Sequence, residues 1–132
     1  MLVRDPTDKL TVQYNPAQLG LIAAHLNKVA LAQGDSFLTS PYFGPERAMM
    51  FRMLAGRGDQ HTAAFFHHEI AEVIATTNLG GDRLSPGRAF LQTQAQAHYD
   101  VIRAQGHSTL PRQGLFLRYH PAVVLAFPDF FN

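Results

Sequence analysis

The 132-residue chain contains no cysteine. Disulfides, thiolate metal sites and a cysteine nucleophile are therefore excluded. Charge is also scarce: Asp, Glu, Lys and Arg make up 16% of the residues, against roughly 25% in an average domain. A surface so thin in charge leaves room for an apolar contact patch. No apolar run approaches the ~18 residues of a membrane-spanning helix, so no span is expected. Residues 1–15 hold Arg4, Asp5, Asp8 and Lys9 without an apolar segment, so no signal peptide is expected among them. The net charge of +1 with neutral histidines is no footprint of a passive nucleic-acid binder. Gly80-Gly81 lacks the Lys-Ser/Thr of a phosphate-binding loop, and there is no serine elbow.

What remains describes an ordinary folding unit. Hydrophobic residues form 46% of the chain, enough for one compact domain over 1–132. Nine of the eleven basic residues are arginine, whose planar fork suits phosphate and carboxylate. Leu10–Tyr14 alternates apolar and polar, as a short strand does. Asn15-Pro16 is a cap followed by a first-turn proline, and Leu19, Ile22, Ala23, Leu26, Val29 and Ala30 follow at helical spacing up to Gly34. Pro45 opens a second helix through Met49, Met50, Met53 and Leu54, with the methionines as core filler. Asp59 caps a third helix that runs to Thr77 and stops at Asn78–Gly81. Ser85-Pro86 is a second cap-and-proline pair, opening a fourth helix to Ala104. Leu115–Tyr119 reads as a strand. Val123–Phe127 reads as a buried strand or a last helical turn, and the apolar tail is expected to dock. The predicted fold is mainly α, with about four helices and one or two short strands.

The chemistry concentrates at His67-His68-Glu69-Ile70-Ala71-Glu72. A helix turns about 100° per residue. On that wheel Ala63, Phe66, Ile70, Val73 and Ile74 form the expected core stripe. His61, Phe65, His68, Glu69 and Glu72 form the stripe beside it, with Glu69 nearer the buried seam, and His67 points elsewhere. His68 and Glu72, four apart, can touch one object. On the fourth helix His98 lies at the centre of the stripe Leu91, Ala95, Val101 and Ile102, so it faces a neighbouring element. A short connection makes helices three and four neighbours, which can bring Glu69 or Glu72 to His98. His120 follows an apolar strand at a forced turn, where functional side chains are displayed. Arg118 and Tyr119 beside it can orient or stabilise an anion. His25 and His107 read as structural or exposed.

Three kinds of chemistry fit this set. His68, Glu72 and His98 offer two imidazoles and a carboxylate, which suits zinc with an open position and leaves Glu69 as general base. The fifth position of the run is Glu72 and not histidine, so this departs from the H-E-x-x-H zinc-peptidase pattern. Without a metal, a carboxyl beside Phe65 and Ile70 has its pKa raised, and a nearby histidine is poised for acid–base work. The third reading is a buried ionic network with no catalysis.

The pieces His68-Glu69-Ile70-Ala71-Glu72, Ala97-His98 and Tyr119-His120-Pro121 resemble C-terminal toxin domains of bacterial polymorphic toxin systems. The resemblance spans roughly residues 65–124. It implies a small α-rich unit exported by a larger carrier to act in a target-cell cytoplasm, with a cognate immunity protein capping the site. It points to His68, Glu69, Glu72, His98 and His120 and to no particular substrate. The expected function is a toxin-like hydrolase, with a nuclease and its nucleic-acid substrate among the options. Glu69 or Glu72 acts as base, His98 or His120 as acid, and Arg118 stabilises an anion. The zinc set His68, Glu72 and His98 is one alternative. A non-catalytic interaction module is the other, with the His/Glu run as a structural network and Phe37–Phe43 or Phe130-Phe131 as its contact surface. A cytoplasmic location is the alternative to export.

Overall fold

The computed structural model describes residues 2–4, 10–12, 14–106, 119, 121–127 and 129, with backbone alone at 2–4, 10–12 and 121. The fold is mainly helical. Strands β1 (Leu2–Arg4) and β2 (Leu10–Val12) pair antiparallel, with Leu2 opposite Val12. Among the described residues there are five α-helices: α1 (Pro16–Ala32), α2 (Gly44–Leu54), α3 (Gln60–Asn78), α4 (Arg88–Ala104) and α5 (Pro121–Ala126). Segment 123–127, expected as a strand or helical turn, thus falls largely in a fifth helix. The strand expected at 115–119 lies outside the described residues apart from Tyr119, and the apolar tail 130–132 lies outside them too.

Local chemistry sets the helix starts. The Asn15 side chain accepts from the backbone N–H of Ala17 at 2.8 Å and Gln18 at 3.2 Å, with Pro16 at the first helical position. These N–H groups have no partner inside the helix, so the cap stabilises its open end. Asn15→Ala is expected to cost about 1 kcal/mol in urea unfolding. A loss below a few tenths would show that α1 does not depend on its cap. Asp59 caps α3 the same way, accepting from His61 and Thr62. The fourth start is corrected. Ser85-Pro86 sits in the preceding turn, Gly87 is the N-cap, and α4 begins at Arg88. The link from α3 to α4 is tight at Gly80-Gly81. Gly80 has φ +84°, and a Cβ on Gly81 would meet Thr76 Cγ2 at 2.6 Å and Thr76 O at 3.0 Å. Both positions therefore favour glycine.

Helix α3 is central: α1, α2, α4 and α5 all pack against it. The apolar core takes Leu19, Ile22, Leu26 and Val29 from α1, Met49, Met50 and Met53 from α2, Phe65 from α3, and Val123 and Val124 from α5. The expected faces of α3 are reversed. Ile74 is 55% exposed, and Ile70 is only partly buried, whereas Phe65, His68, Glu69 and Glu72 are all buried. Neighbours press on the polar stripe from several sides, and Glu72 meets His25, His68 and His98 there. The apolar stripe is left at the margin.

Candidate metal centre

The residues that α3 buries converge on one carboxylate. Glu72 Oε1 lies 2.6 Å from His98 Nδ1 and 3.2 Å from His68 Nε2, and those two nitrogens are 3.0 Å apart. Glu72 Oε2 lies 2.5 Å from His25 Nε2 and accepts from the Gln94 amide at 3.2 Å. Glu69 Oε1 is 3.9 Å from His68 Nε2. The positioning follows from helix geometry. His68 and Glu72 stack one turn apart on α3, α4 brings His98 and Gln94 to one side, and α1 brings His25 to the other. All four members of this knot, His25, His68, Glu72 and His98, are buried.

Burial and mutual contact set the charges. Burial alone would raise the Glu72 pKa, but its bonds to His25, His68 and His98 outweigh that and hold the carboxyl well below the usual range. Glu72 is therefore ionised at neutral pH. Burial pushes His68 down, with the neighbouring His98 adding to the effect against Glu72. Burial, reinforced by Glu72 and Glu46, drives Glu69 well above the usual range. Glu46, in the first turn of α2, is pushed up to about 8, chiefly by burial.

The triangle of His68 Nε2, His98 Nδ1 and Glu72 Oε1 cannot be closed by hydrogen bonds. An ionised carboxylate only accepts, and an imidazole nitrogen either donates or accepts. If both nitrogens carry protons for Glu72, the two N–H groups confront each other at 3.0 Å. If one offers a lone pair to the other, it forfeits Glu72. Three donor atoms this close suit a shared cation. Zinc with bonds of about 2.0–2.1 Å sets its tetrahedral ligands roughly 3.3 Å apart, wider than the 2.6–3.2 Å here, so an ion would spread the three atoms slightly.

Comparison with known proteins gives no matching family model, no matching curated protein and no matching solved structure.

A cavity of about 230 Å³ opens against this knot, lined by Glu46, Glu69, Glu72, Gln94 and His98 and walled by Tyr42, Phe65, Leu91 and Tyr119 among others. Among the described residues, Glu46 Oε1 and Glu69 Oε2 are buried there without a hydrogen-bond partner. Of the expected site residues, the structure brings His68, Glu69, Glu72 and His98 together. Arg118 and His120 lie outside the described residues, as does His107. Tyr119 lines the cavity, and its hydroxyl donates to the Tyr42 carbonyl. His67 is exposed, on the far edge of α3.

Two residues were missed from sequence. His25, read as structural or exposed, touches the central carboxylate. The signal was available: His25 sits between Ile22 and Val29 on an apolar stripe, as His98 does on α4. Glu46 carries no such signal, because an acidic residue in a helix's first turn is ordinary.

Proposed function

We propose that the protein is a divalent-metal-dependent hydrolase of the toxin-like kind, holding a zinc-type ion on His68, Glu72 and His98. The observation that carries this reading is the triangle of donor atoms that hydrogen bonds cannot close. A divalent ion on such a set supplies Lewis-acid polarisation and lowers the pKa of a water to about 7. Glu72 is ionised and His68 is neutral, the forms that ligands must take. Glu46 and Glu69 face the cavity, each with an oxygen unpartnered among the described residues, and serve to accept and return a proton. The apolar walls exclude bulk water and strengthen these interactions. A phosphodiester of nucleic acid is the substrate class proposed, because a divalent ion can polarise a phosphoryl oxygen. That reading also implies export by a carrier, action in a target-cell cytoplasm and a capping immunity protein. The loop offered for a contact surface is less suitable than the sequence implied, since Phe37 and Phe43 are in the core. Exposed Leu38, Phe51 and Leu54 form the apolar surface beside it.

The test combines metal content and toxicity. Purified protein equilibrated with zinc and then dialysed should retain zinc, and His98→Ala should lose most of it while staying helical. Wild-type expression in bacteria should arrest growth and degrade nucleic acid, with His98→Ala harmless. Zinc content near zero even after zinc addition would sink the metal reading. Equal harmlessness of folded wild type and variant would sink the hydrolase reading.

A further inference from the structure

We infer that the cluster is a two-ion centre in which Glu72 bridges, with His68 and His98 on one ion and His25 and Glu69 on the other. This rests on the metal reading and extends it. The division of Glu72 is the starting point. Its Oε1 faces His68 and His98, and its Oε2 faces His25. Each oxygen thus addresses a separate set of donors. Besides His68, Glu72 and His98, the trio His25, Glu69 and Glu72 also presents one ligand atom each, all within 4.8 Å of one another. The two sets share only Glu72.

One further observation points to a second cation. Among the described residues, Glu69 Oε2 and Glu46 Oε1 are buried at the cavity without a hydrogen-bond partner, and the two residues are only 5% and 7% exposed. Buried carboxyl oxygens of this kind are costly unless something positive or a donor meets them.

The ligand class follows from the donors. Imidazole and carboxylate without sulfur suit Zn²⁺, Mn²⁺ or Fe²⁺. Paired ions about 3.5–4 Å apart are the arrangement that phosphoester hydrolysis uses to hold attacking and leaving oxygens. In this centre Glu69 becomes a ligand, which leaves Glu46 as the residue that carries the proton.

Metal-free full-length protein is equilibrated with Mn²⁺ or Zn²⁺, dialysed, and its metal counted per chain. Wild type should hold two ions and His25→Ala one. Two Mn²⁺ in wild type should also give the exchange-coupled electron paramagnetic resonance spectrum of a pair. This second readout needs no variant to fold. Glu69→Gln, close in shape, should likewise fall to one ion. A wild type that holds one ion, with only the six-line spectrum of isolated Mn²⁺ at every loading, overturns the two-ion inference and leaves the single-ion reading standing. A wild type that holds none overturns both. Two ions retained in folded His25→Ala, or none, also overturns the assignment of His25 to the second ion.

Discussion

Replacing Glu72 with alanine lowers the unfolding free energy of the metal-free protein by about 3–5 kcal/mol at neutral pH, the cost of breaking a buried charged contact from one side. Glu72 is 2% exposed and meets His25, His68, His98 and Gln94. Its removal takes the shared carboxylate from all four and leaves a void among them. Glu72→Gln separates charge from shape. The folded carboxyl is held below its unfolded value of 4.5, so its contribution is present above 4.5 and is lost as pH falls through the folded value. The gap between wild type and Glu72→Gln should therefore be widest near neutrality and narrow in acid. Urea unfolding at several pH values measures both. A loss under about 1 kcal/mol for Glu72→Ala, within the range of a single ordinary hydrogen bond, would mean that the knot does not hold the helices together.

Glu46→Gln should move stability the other way in alkali. The wild-type carboxyl is pushed from 4.5 to about 8 by burial. Between those values the folded chain binds more protons than the unfolded one, so stability falls as pH rises. One group contributes up to about 1.4 kcal/mol per pH unit, on the order of 4 kcal/mol by pH 8 across this window. Glutamine cannot ionise, so the variant lacks this slope. The two proteins should be nearly equal near pH 4 and diverge with the variant more stable at pH 8. Glu69 is also raised, in part by Glu46, so Glu46→Gln relieves that contribution too and the difference between the profiles widens. Parallel profiles from pH 4 to 8 would show that Glu46 is not held neutral. The comparison belongs to metal-free protein, because an ion would stabilise the charged form.

Much of the helical frame was legible because its signals are local. Asn15-Pro16 and Asp59 act on N–H groups two or three residues away, so the start of α1 and of α3 could be read in a few letters. Ser85-Pro86 carried the same letters, yet α4 starts at Arg88 after Gly87. A cap works only where the backbone enters the helix, and the turn from α3 delays that entry. The site was partly legible for a similar reason. Helical spacing alone brings His68 to Glu72, and a histidine inside an apolar stripe marks His98. His25 carried that second mark too, but its partner lies 47 residues away.

By itself, then, the sequence determined that the chain is mainly helical, where two of its helices begin, and that carboxylates and imidazoles share a face of α3. These follow from hydrogen bonds and spacings within a turn or two of helix. Only the tertiary structure decided which face of α3 lies deepest, because burial depends on what surrounds a helix and not on its own pattern. It also decided that Glu72 stands at the centre between His25, His68 and His98. The packing of α1, α2 and α4 around one helix placed Glu46 and Glu69 in the same cavity, where distance and lost solvent set their charge.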